Sequence, residues 1–333
     1  MKEPQKRVAW IDMAKGYGII LMIIGHLHVN ELMVWIYSFH MPLFFFVSGY
    51  LFNIKSSFLE FSAGKVKRML IPYLFLYIPM LLADLLMTGT LSTGQVLEHL
   101  RLNLLQQRHS ALWFLGCLIV LHFLYYPIVR YVTNRILGAI ITIMLGLTGV
   151  ILWRNGVTGF YWNLDVAMVA APFFYGGFLM RGKINETQIR KMKKAPLAVA
   201  LLSLLAASVL TAELNCHYFL GREIDLFESL FREEWLSYTA AFIGISFIIF
   251  LSVRWSVPFV KYIGKHSLLF YAWHYPVVIL PMLKLCQKMG IVHLNSGWSG
   301  LLQNVLLLIV TLTVLTILNE LVIRTRLRFI TGR

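Results

Sequence analysis

Charge is scarce in this chain. Only 14% of its 333 residues are Asp, Glu, Lys or Arg, where a water-soluble globule carries about 25%. That shortage excludes a disordered tail and a cytosolic enzyme. Cysteine is scarcer still. The three present, Cys117, Cys216 and Cys286, are too few and too far apart for a disulfide scaffold, and they form no metal or redox pattern. Acidic residues number 15 against 30 Lys and Arg. What abounds is apolar: 59% of residues are hydrophobic and the mean hydropathy is +0.72. No core of this size buries that much, so the composition specifies an all-α polytopic membrane protein.

In a soluble chain the basic excess would suggest nucleic acid. In a membrane protein it marks cytoplasmic loops, and no nucleic-acid partner is expected. A crossing needs about 20 mostly apolar residues, and lipid favours helices because the backbone must satisfy itself. Ten runs qualify: 9–28, 33–53, 69–88, 111–130, 136–153, 162–180, 196–213, 235–253, 264–283 and 300–322. They predict ten helices in a single domain over 1–333, with no appended soluble domain and no internal repeat. Placing the N-terminus inside puts Lys2, Lys6, Arg7, Lys55, Lys65, Lys67, Arg68, the Arg190–Lys194 cluster and Arg324, Arg326, Arg328 and Arg333 on the cytoplasmic side. The other side then holds only Arg101, Arg108, Arg154, Arg222, Arg232, Lys284 and Lys288. This imbalance predicts both termini in the cytoplasm. The first run carries Asp12 and Lys15, so it reads as a retained span rather than a signal peptide.

An ionisable group inside a bilayer is expensive unless it faces a cavity or a partner. At about 100° per residue, Lys15 and His26 fall within about 20° of each other, and Asp12 lies about 40° from His26. The three form one stripe. The plain alternative is an Asp12–Lys15 pair with His26 packed at the interface. In the second run, Pro42 suits a first helical turn, which places His40 at the outer end beside His26. Interfacial belts also hold such residues.

Trp113 and Trp162 open their spans on the same outer side and suit membrane anchors. Asn163 and Asp165 open the sixth, where a helix N-terminus tolerates an acid. His274 either lines the cavity or satisfies a carbonyl freed by Pro276. On the cytoplasmic side Lys65, Lys67 and Arg68 precede the third span and Lys265 starts the ninth. Both phosphate binding and the positive-inside rule account for them.

These segments resemble the membrane-bound acyltransferase-3 family, polytopic enzymes that modify cell-envelope polysaccharides and related acceptors. The resemblance is carried by Asp12, Lys15, Gly25 and His26, then Ser38-Phe39-His40-Met41-Pro42-Leu43-Phe44-Phe45 with Ser48-Gly49. It continues in Lys67-Arg68 before Pro72-Tyr73, Trp113-Phe114-Leu115, Asp165 before Pro172-Phe173-Phe174-Tyr175-Gly176-Gly177, and Gly264-Lys265-His266-Ser267-Leu268 before His274. The matches run in order from about residue 8 to 325. The resemblance implies about ten helices, a cytoplasmic acyl-CoA donor and commonly an acceptor on the far side. It also implies an essential basic residue separated from a histidine by ten intervening residues, a spacing that Lys15 and His26 satisfy. Some relatives add a C-terminal hydrolase-like domain. Without one, transfer occurs within the membrane domain, or a separate envelope-biosynthesis partner finishes it.

The expectation is an O-acyltransferase of the inner, cytoplasmic membrane, most simply an O-acetyltransferase, moving an acyl group from acyl-CoA to a hydroxyl of an envelope saccharide or lipid-linked acceptor. His26 serves as base or transient acyl carrier, Lys15 orients the donor or stabilises negative charge, and Asp12 holds Lys15. His40 completes the catalytic set. Lys67, Arg68 and Lys265 take CoA phosphates, while Trp113, Asn163, Asp165 and His274 face the acceptor. Acetyl-CoA or another acyl-CoA enters as donor substrate, with no resident cofactor or metal. The alternative is a transporter whose interior His, Asp and Lys relay protons or solute.

Overall fold

The apolar runs fold as helices throughout. The computed structural model describes residues 8–332 apart from 28, 55, 90, 91, 221, 232 and 292–296. Lys2, Lys6, Arg7, Lys55, Arg232 and Arg333, which entered the charge balance, lie outside the described residues. In chain order the helices are α1 (Ala9–His26), α2 (Asn30–Leu51), α3 (Phe58–Lys65), α4 (Ile71–Thr88), α5 (Thr93–Leu105), α6 (Trp113–Tyr131), α7 (Arg135–Arg154) and α8 (Leu164–Met180). Then come α9 (Glu186–Lys191), α10 (Lys194–Asn215), α11 (Glu234–Arg254), α12 (Pro258–Lys265), α13 (Ser267–Trp273), α14 (Leu280–Lys288) and α15 (Gly297–Ile323). A π-helical turn at Val66–Leu70 joins α3 to α4, and another at His274–Ile279 joins α13 to α14.

Among the described residues, nine helical stretches are long and apolar enough to cross a membrane. The protein is an all-helical, multi-pass membrane protein. The tenth expected run is α1, which is 18 residues long and is diluted by Asp12, Lys15 and His26. It needs little apolarity, because protein rather than lipid surrounds it: Trp10, Met13, Ala14, Ile19 and Ile23 are all buried. Around the periphery, α10 and α15 present Leu202, Leu210, Leu302 and Leu306 outward. Apolar side chains facing outward are what a lipid-facing surface requires.

Glycines let the central helices cross closely. A Cβ at Gly49 would collide with the Phe174 carbonyl, and one at Gly177 with the Phe46 carbonyl, so α2 and α8 touch backbone to backbone. Gly16 lies against the Val260 carbonyl and Gly264 against the Asp12 carbonyl. Small residues at helix crossings are how membrane helices approach. Here they press α12 onto the first half of α1, beside Asp12 and Lys15.

Two expectations need correction. The second span starts at Asn30, so Pro42 lies inside α2 rather than in its first turn. His40 therefore stands in the middle of α2, buried. The ninth run does not begin as one helix at Gly264: α12 ends at Lys265, the chain turns at His266, and the spanning stretch is Ser267–Lys288.

Candidate active site

Three histidines from three segments converge on one cavity of about 500 Å³. His26 comes from the end of α1, His40 from mid-α2, and His274 from the π turn after α13. The His26 ring meets His274 edge to face at 4.7 Å and Tyr275 at 5.3 Å between centroids. Nδ1 of each histidine lies against a carbonyl of its own helix: His26 on Met22 at 2.8 Å, His40 on Ile36 at 2.9 Å, His274 on Tyr271 at 2.7 Å. A carbonyl only accepts, so Nδ1 keeps the proton and Nε2 carries the lone pair. His274 Nε2 is buried without a hydrogen-bond partner among the described residues. His274 thus fulfils both sequence readings at once: it lines the cavity and binds a carbonyl in the segment that Pro276 disturbs.

The roof of this cavity is built from loops stitched by side chains. Gln106 Nε2 donates to the Tyr73 hydroxyl at 2.6 Å, and the His109 amide donates to Gln106 Oε1 at 3.0 Å. Asn163 Oδ1 accepts from the Arg108 amide at 2.8 Å, and its Nδ2 donates to the Trp113 carbonyl at 3.0 Å. Gln106, Arg108, Ser110, Trp162 and Asn163 all have positive φ, a backbone region that costs non-glycine residues energy and is held only where surroundings impose it. A hairpin closed by the Asp225–Leu230 bridge inserts from the other side, with Ile224, Leu226 and Phe231 buried. Its Phe227 ring packs on Trp113 at 5.9 Å.

Asp225, in this hairpin, lines the cavity. Burial pushes its carboxyl up to about 6, Glu228 and Glu223 add to the rise, and the Phe227 amide opposes it. His109 on the same rim is lowered, first by burial and then by His99. Asp84 and His99 meet at 3.4 Å beside it.

A second cavity of about 360 Å³ gathers Lys15, Arg68, Lys265, Ser48, Ser267 and the Thr331–Gly332 end of the described chain. It lies towards the other end of α1: Lys15 and His26 are about 16 Å apart along the axis at 1.5 Å per residue. Three cations from separate helices around one hollow suit a polyanion.

The structure therefore places Lys15, Arg68 and Lys265 together, and His26, His40, His274 and Trp113 together. Asp12 is buried at the α1–α12 crossing, next to Lys15 in sequence but outside both linings. Lys67 is exposed and lines neither cavity. Asn163 and Asp165 also lie behind the wall. Asp165 pairs with Arg108 and accepts from Trp153 Nε1 at 3.0 Å, while Arg108 also donates to Ser229. These contacts brace the loops that carry Trp113. Sequence reading singled out neither Asp225 nor Tyr271 as a site residue. Asp225 left no signal beyond its place in a long polar connection. Tyr271 was visible only as a neighbour of His274.

The acyltransferase domain of the acyltransferase-3 family matches residues 8–320. Nodulation protein NolL of Sinorhizobium fredii (strain NBRC 101917 / NGR234) is 38% identical over 79 residues, 19% of this chain and 22% of that protein. The match thus spans about a fifth of that curated relative. No solved structure matches the chain.

Proposed function

The chain belongs to the acyltransferase-3 family, and from that premise we propose that it moves an acyl group from acyl-CoA in the basic cavity to an acceptor hydroxyl in the histidine cavity. The observation that carries this reading is the position of Lys15 and His26 on one helix, each lining a different cavity. Lys15, Arg68 and Lys265 hold the charged phosphates of CoA at one face, where the pantetheine arm enters along α1. The acceptor enters from the opposite face, against Trp113 and the imidazoles. We take that acceptor to be an envelope saccharide, free or lipid-linked, and the membrane to be the cytoplasmic one with both termini inside.

His26 Nε2 removes the acceptor hydroxyl proton as its oxygen attacks the thioester carbonyl. The C–O bond forms, the C–S bond breaks, and the proton passes to the departing thiolate. An imidazole with Nδ1 committed to a carbonyl presents its basic nitrogen without needing to change tautomer. His40 and His274 flank it and shape the pocket.

Purified protein given acetyl-CoA and envelope saccharide should release CoA thiol in step with acetylated product. A proton relay in a transporter predicts no thiol release. Turnover that persists undiminished in His26→Ala would end the assignment of His26 as base.

A further inference from the structure

The two cavities are distinct volumes, and Tyr271 lines both. On α6 the boundary falls between Trp113, in the histidine cavity, and Phe114, in the basic one. On α2 it falls between Met41 and Phe44. The partition at this level is therefore a single aromatic layer. Phe114 packs edge to face on Tyr271 at 5.5 Å and on Phe44 at 5.9 Å. The Tyr271 hydroxyl donates to the Ala111 carbonyl and accepts from the Phe114 amide at 3.2 Å. These bonds latch the ring to the start of α6. The Tyr271 carbonyl accepts from His274 Nδ1, so the residue that closes the layer also seats a member of the histidine cluster.

We infer that Tyr271 is the positioning residue of the passage between the chambers, and that its layer with Phe44 and Phe114 admits a short acyl chain and rejects longer ones. An acyl group travelling from the basic cavity towards His26 must cross this layer. Interiors are close-packed, and oversized groups force their neighbours off preferred rotamers. A fitted apolar site distinguishes one methylene by roughly tenfold or more. Because the thioester must reach His26, the pantetheine arm threads the displaced layer behind the acyl group, and each further methylene adds volume that must be housed beside the close-packed Tyr271 and Phe114 rings.

The acyl preference rests on the proposed acyl-CoA reading, but the partition does not, and the experiment separates them. Cys117, Cys216 and Cys286 are replaced by alanine, and Met22→Cys is introduced in the histidine cavity. Sealed vesicles with the basic face outward are treated with a membrane-impermeant thiol reagent. With Tyr271 present, Met22→Cys should be protected; with Tyr271→Ala it should react at least tenfold faster, and with Tyr271→Phe at an intermediate rate. An unchanged rate in both variants overturns the partition.

In the second arm, Tyr271→Ala should raise the hexanoyl-CoA to acetyl-CoA ratio of kcat/KM at least tenfold. Opened access with an unchanged ratio overturns the selectivity. Opened access in a protein that never releases CoA, even with Tyr271 intact, would leave the partition standing and remove the acyl-CoA reading. If Tyr271→Ala fails to insert, Phe44→Leu thins the same layer and should shift both readouts the same way. No shift in either readout with that variant counts against the inference equally.

Discussion

The His26 and His274 rings stand edge to face, 4.7 Å between centroids, and both keep Nδ1 against a carbonyl of the segment that carries them. Two imidazoles in ring contact within one cavity act on the same bound group. His26→Ala should lower turnover by about 10²- to 10⁴-fold, the usual worth of a positioned general base. His274→Ala should cost less. The double variant should fall little below His26→Ala alone, because contacting residues that act together are not additive. Thiol release measured on all three variants tests this. Losses that multiply would show the two histidines acting independently.

Asp165 and Arg108 make a second relationship with a different consequence. Asp165 is fully buried and Arg108 nearly so. Removing one partner of a buried pair strands the other charge and costs about 3–5 kcal/mol. Asp165→Ala should therefore lower the melting temperature in detergent markedly, while the apparent donor affinity of the folded fraction stays unchanged. A variant as stable as the parent, with weakened acceptor use alone, would return Asp165 to acceptor binding.

How far the sequence revealed this arrangement depends on the range of the interactions involved. The Lys15–His26 stripe was legible because helical periodicity turns spacing directly into a shared face. Gly49, Gly177 and Gly264 were legible as motif members, and the structure shows them at backbone crossings. The depth of His40 was misread. A proline suits either a first turn or a kinked interior, and only the packing of α2 shows that the helix begins at Asn30. Arg108 with Asp165, and Phe227 with Trp113, lie far apart in the chain. Their meeting depends on loops whose positive φ and side-chain stitching leave no periodic trace. The same holds for Tyr271, whose importance lies in touching two cavities that no single segment defines.

Asp225 gives a prediction in pH. Its carboxyl is raised to about 6 in the folded protein, first by burial, from an ordinary value of 3.8. Between those values the folded state holds a proton that the unfolded state has released, so stability falls as pH rises. The contribution is complete below about 3.8 and is lost once pH passes about 6. Asp225→Asn, which cannot ionise, should flatten this part of the stability profile. Thermal melts at intervals from pH 4 to 8 check it. An identical slope in parent and variant would mean that Asp225 does not titrate in this window.

Arg68 and Lys67 are adjacent in sequence but differ in place, and that difference yields the last prediction. Both are exposed, but only Arg68 lines the basic cavity with Lys15 and Lys265, and Lys67 lies outside the lining. The π turn at Val66–Leu70 widens the helix where these residues sit, as π turns often do at functional positions. If Arg68 contacts a CoA phosphate, the charge-assisted bond contributes roughly 1.5–3 kcal/mol. At about 1.4 kcal/mol per decade, Arg68→Ala should weaken acetyl-CoA binding about ten- to a hundredfold. Lys67→Ala should leave binding nearly unchanged, because a solvated cation outside the cavity adds only a screened, long-range attraction. Arg68→Lys should recover part of the loss, since it keeps the charge but not the planar fork. Raising the salt concentration should reduce donor affinity less in Arg68→Ala than in the parent, as one ionic contact has already gone. Calorimetric titration of acetyl-CoA into the three variants in detergent gives all these values. Equal losses at Lys67 and Arg68 would mean that general basic charge, not the cavity lining, attracts the donor.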